Sequence, residues 1–129
     1  MTFIEQIDYW LEGAEHDLDV AERLFNSGDY DWCLFIGHLV LEKILKSYYC
    51  KINQSTPPKI HDLNKLATLS KLDLNLEKKE FFHRVNDFNL EARYPEYKLH
   101  FYKVATKEFA TNNFTQLKKE FLWIKSLIK

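Results

Sequence analysis

Arg93, Tyr94, His100 and Tyr102 fall within the stretch EARYPEYKLHFY at residues 91–102. An arginine can neutralise a phosphate with a two-pronged hydrogen bond, and a histidine can take or give a proton near neutral pH. Together they could serve proton transfer beside a phosphate, the histidine as proton acceptor and the arginine as the cation for its charge. The same residues also have a structural reading, in which Arg93 pairs with Glu91 or Glu96 and His100 caps or flanks the last helix.

A second constellation lies upstream. His38, Glu42 and Lys46 are spaced four apart in the apolar run DWCLFIGHLVLEKILKSYYCK and therefore stack on one face of a helix. His38 with Glu42 is half a metal site, but no third ligand is marked; the alternative is an edge stripe in which Glu42 pairs with Lys46. His61 precedes Asp62, which is placed to start a helix by accepting backbone hydrogen bonds. His16 and His83 have charged or aromatic neighbours and read as structural or solvated. Cys33 and Cys50 lie in one helix, about 25 Å apart at 1.5 Å per residue, too far to bridge each other. The Gly-rich phosphate loop, zinc-finger spacing and Gly-x-Ser-x-Gly elbow are all missing, and no cofactor or metal is expected.

The elements that must position these groups are helices. With 129 residues the chain suits one domain, residues 1–129, and 46% apolar residues with 3 Gly and 3 Pro exclude a disordered or collagenous chain. Thr2 and Glu5 have capping-box spacing ahead of an apolar stripe, predicting a helix over about 3–26 that Gly28 terminates. A central, most buried helix is expected over 31–51. Pro57 and Pro58 then force a loop. Shorter helices follow over about 62–70 and 75–93, the second ended by Pro95, and a regular stripe predicts the last over 103–128. The architecture expected is an all-α, up-and-down bundle of four to five helices.

Charge is segregated along the chain: residues 1–31 carry nine acidic groups against one basic, whereas residues 93–129 carry eight basic against three acidic. The basic end can meet phosphate, or the two ends can lie on neighbouring helices and attract weakly. The chain has neither an 18-residue apolar run nor a secretory signal, so no membrane span is expected and the cytoplasm is the expected location.

GHLVLEKILKSYY (37–49), HDLNKL (61–66) after the proline loop and EARYPEY (91–97), in that order, resemble the HEPN (higher eukaryotes and prokaryotes nucleotide-binding) domain family over nearly the whole chain. The resemblance implies an all-helical domain, a homodimer, and a minimal nucleotidyltransferase partner in a toxin–antitoxin-like pair. It implies nucleotide or RNA phosphate binding near Arg93, Tyr94, Tyr102, Lys46 and His61. Many members are metal-independent ribonucleases marked by an arginine, four to six residues and a histidine, which Arg93 and His100 match at the longest spacing. Here Tyr94 and Pro95 follow the arginine, where ribonuclease members have a polar residue. A phosphate-binding module, a ribonuclease and a purely structural interaction protein all stand at this point; exposure of Tyr97, Phe101 and Tyr102 would favour the last.

Overall fold

A computed structural model describes all residues from 1 to 129. The chain forms six helices and no strand: α1 (Phe3–Asn26), α2 (Tyr30–Asn53), α3 (Leu63–Leu69), α4 (Leu76–Arg93), α5 (Pro95–Val104) and α6 (Lys107–Ile128). The all-α bundle is as expected, but the helix count exceeds four to five. Pro95 ends α4 and also begins α5, because a proline in the first turn of a helix gives up an N–H that would have no intrahelical partner and brings a φ already suited to the helix. The helix expected from residue 103 accordingly begins at Lys107, Val104 belonging to α5.

Local chemistry sets each boundary. The Thr2 side chain accepts from the Glu5 amide at 3.1 Å while Glu5 accepts from the Thr2 amide at 3.0 Å, closing the capping box. Gly28 reverses the chain at φ +80°, where a side chain would be strained. Asp62, Asn75 and Thr106 cap α3, α4 and α6 through side-chain oxygens.

Helix α2 is the axis of the bundle and packs against all five others. Its buried residues Leu34, Val40, Leu41, Ile44 and Leu45 meet Leu11 and Ala14 from α1, Leu66 from α3, Phe81, Phe82 and Val85 from α4, and Phe114, Leu117 and Phe121 from α6 in one core. Gly37 leaves room for Leu117 of α6 to pack onto α2: a Cβ there would stand 2.5 Å from Leu117 Cδ1. The segregated charges meet across the outside of the bundle, Glu15 with Lys125 at 3.1 Å and Glu22 with Lys118 at 3.5 Å. Such exposed pairs add little stability. No helix is long and apolar enough to cross a membrane. Cys33 and Cys50 are free and buried, and burial pushes the Cys33 thiol up to about 12.

Candidate functional site

The step of four on α2 puts His38, Glu42 and Lys46 in one buried row. A carboxylate and an ammonium taken out of water must be compensated closely. Lys46 Nζ donates to Glu42 Oε2 at 3.0 Å and lies 5.2 Å from the Trp10 ring centroid. The other carboxylate oxygen, Oε1, accepts from His61 Nδ1 at 2.9 Å. Glu42 therefore joins Lys46 to His61, whose side chain is 67% exposed.

His61 is pinned twice, because its backbone carbonyl accepts a hydrogen bond from His38 Nε2 at 2.9 Å. A carbonyl only accepts, so Nε2 carries the proton and His38 Nδ1 is left as an acceptor. That Nδ1 is buried without a hydrogen-bond partner, 4.0 Å from Glu42 Oε1. Burial holds the His38 imidazole below its ordinary pKa of 6.5, against the opposing pull of Glu42, of the His61 carbonyl and of the Asn86 side chain, and so keeps it neutral.

Asn86 on α4 ties the start of α3 to this row. Its Oδ1 accepts from the Leu63 amide at 3.1 Å and its Nδ2 donates to Asp62 Oδ1 at 3.0 Å. Between α2, the segment leading into α3, and α4 lies an open cleft of about 300 Å³, lined by His38, His61, Asp62, Asn86, Asp87 and Asn89. Arg93 does not line it but touches a residue that does: one helical turn beyond Asn89, it donates to Asn89 Oδ1 at 3.2 Å. The expected pairing of Arg93 with Glu91 or Glu96 does not form: a neutral amide four residues back on the same helix face takes the guanidinium instead.

The expected residues thus fall into two groups. Lys46 and His61 meet on Glu42, and Arg93 borders the same cleft; Lys46 itself is buried and already paired. Tyr94 is exposed at the α4–α5 junction, and His100 and Tyr102 are exposed on α5. His100 sits mid-helix, far from any cap of α6, and makes neither a hydrogen bond nor an ion pair with Arg93. At 100° per residue, the inward-facing Phe101 separates His100 and Tyr102 onto opposite flanks of α5. Tyr102 lines a shallow hollow with Asp31, Pro95, Lys98 and Leu99, and Lys98 lies over the Trp32 ring. Of the three aromatics whose exposure would favour an interaction surface, Tyr97 and Tyr102 are exposed and Phe101 is buried against Phe88. No three His, Cys, Asp or Glu side chains converge to hold a metal ion, and the Glu42 carboxylate that would form half a site with His38 is engaged by Lys46 and His61.

The HEPN domain family matches residues 7–126. The chain belongs to the HEPN family. Two solved structures share this HEPN fold. TT1696 from Thermus thermophilus superposes with a TM-score of 0.78 at 22% identity, covering 94% of this chain and 97% of that one. ST0689, described as an archaeal HEPN homologue, gives 0.77 at 20% identity over 95% and 98% of the two chains. No curated protein matches the sequence.

The role of Glu42 as hub of this HEPN domain, and those of Asn86 and Asn89, were not read from the sequence. The signal for Glu42 is its place in an apolar run, four residues from both His38 and Lys46. Asn86 and Asn89 carried none, since asparagines are ordinary on the polar face of a helix.

Proposed function

We propose that this HEPN domain is a nucleotide- or RNA-phosphate-binding module that acts as a homodimer beside a minimal nucleotidyltransferase partner. The observation that carries the reading is Arg93: an exposed guanidinium whose hydrogen-bond partner is an uncharged amide, beside a polar cleft, with its charge uncompensated by a carboxylate. A phosphate supplies the missing anion and the paired oxygens that the guanidinium fork fits. Tyr94, Tyr97 and Tyr102 are exposed on the next element and offer faces on which bases or a second copy of the chain can pack. The nucleotidyltransferase partner rests on the family's gene-neighbour pattern.

Fluorescence anisotropy with a short labelled RNA at fixed salt tests this reading. Arg93→Ala should leave the fold intact and weaken binding by about tenfold, the loss of one charge-assisted hydrogen bond. Unchanged affinity in a folded variant would overturn it. A second reading, metal-independent cleavage of RNA, is favoured by the exposure of both Arg93 and His100 with neither held by a carboxylate. It requires cleavage in the presence of a chelator that the Arg93→Ala, His100→Ala double variant loses.

A further inference from the structure

The cleft beside Arg93 is rich in acceptors that lack donors. His38 Nδ1 is buried without a partner in a residue only 1% exposed. The His61 ring is held by its Nδ1–H on Glu42, which leaves Nε2 as an exposed acceptor. Asp87 brings an exposed carboxylate with no hydrogen bond or ion pair within the chain. Asp62 Oδ1 is taken up by the α3 cap and by Asn86, which in turn uses both ends of its amide. Asn89 Oδ1 is occupied by Arg93.

A site of this make-up does not suit a phosphate, because its two carboxylates repel the charge. A metal ion does not suit it either, since its acceptors do not converge on a ligand geometry. It fits a neutral group that brings donors, and the vicinal hydroxyls of a ribose are such a group; a carboxylate accepting from ribose hydroxyls is an established mode of nucleotide recognition. Asp87 and Arg93 are six residues apart on α4, about 9 Å along its axis, and the Arg93 side chain reaches back toward the cleft through its bond to Asn89.

We propose that the cleft between α2 and α4 is a ribose pocket, in which His61 and Asp87 accept hydrogen bonds from the sugar hydroxyls of a ribonucleotide whose phosphate sits on Arg93. This rests on the phosphate reading of Arg93 and adds to it the sugar that the chain selects. Glu42 is a positioning residue: it holds the His61 ring by Nδ1 and leaves Nε2 free, and Lys46 fixes the Glu42 carboxylate in place.

The experiment is an NMR titration of the intact protein with adenosine 5′-monophosphate and, separately, its 2′-deoxy counterpart, following backbone and side-chain amides of Asn86, Asn89 and Arg93. The ribonucleotide should bind about tenfold more tightly, the discrimination from one lost hydrogen bond to a charged acceptor. Of His61→Ala and Asp87→Ala, both at exposed positions, the one that removes the acceptor of the 2′-hydroxyl should bring the ratio close to one with the deoxynucleotide's affinity unchanged, and the one that removes the acceptor of the 3′-hydroxyl should weaken both nucleotides alike. Equal affinity of the parent for both nucleotides, with shifts at Arg93, would overturn the ribose pocket and leave the phosphate reading standing. A ribose preference that survives in both variants would also overturn it. Absence of shifts with either nucleotide would remove both readings together.

Discussion

Glu42 and Glu120 are built from the same parts. Each is a buried carboxylate paired to a lysine, and each lysine lies over a tryptophan ring: Lys46 at 5.2 Å from the Trp10 centroid, Lys78 at 4.0 Å from that of Trp123. They differ in what else the carboxylate holds. Glu120 has Lys78 as its hydrogen-bond partner, and the pair fastens α4 to α6. Glu42 makes a second bond, to His61, and through it reaches an open cleft. A buried ion pair is a weak source of stability, since desolvating two charges offsets most of their attraction. The pair that closes on itself therefore reads as a fastening, whereas the other also orients an exposed imidazole at the edge of a cleft.

The largest test of that contrast is removal of each carboxylate. Glu42→Ala strands Lys46, whose side chain is only 7% exposed, and should cost about 3–5 kcal/mol in urea unfolding, the loss expected for a buried charge left alone. Glu120→Ala leaves Lys78, at 20% exposure, nearer to water, and should cost about 1–3 kcal/mol. Equal losses would erase the distinction.

A smaller effect comes from His38. The folded chain holds this imidazole neutral below its ordinary pKa, so beneath about pH 6.5 the unfolded chain binds a proton that the folded chain refuses. Its contribution to stability is whole above that pH and declines as pH falls toward the depressed folded value, with a slope of at most about 1.4 kcal/mol per pH unit for one proton. His38→Asn should flatten that part of the urea-unfolding profile between pH 5 and 7; an identical profile would mean that the ring titrates normally. The smallest effect is chemical. Cys33, buried and with its thiol near 12, should resist alkylation at pH 8 until urea is added, and rapid labelling of the native chain would contradict its burial.

The α2 half of this contrast was partly legible from sequence. Periodicity of four in an apolar run brings His38, Glu42 and Lys46 together whatever surrounds them, and the Glu42–Lys46 pair follows. The step to His61 was not legible, because it depends on how the Pro57–Pro58 loop returns across α2, a tertiary path that no local pattern encodes. Glu120 looked like any charge on the polar side of α6, and nothing in the spacing tied it to Lys78 on another helix. The charge asymmetry of the two ends, by contrast, resolved into the α1–α6 pairs that weak attraction between neighbouring helices implies. At the α4–α5 corner the breaker property of Pro95 was read and its helix-starting property was not. Both follow from the same missing N–H, and only the chain that comes after decides which applies.

Helix α5 is ten residues long, and Phe101 is its only buried residue, with Ala105 just beyond its end. Burying one phenylalanine supplies about 1.5–3 kcal/mol, so this helix can detach at a small fraction of the free energy that unfolding the other five would need. Its amide hydrogens then exchange with solvent through a local opening, ahead of those of α2. His100 and Tyr102 accordingly ride on a segment that can re-seat against a newcomer, while the cleft under Arg93 keeps its shape.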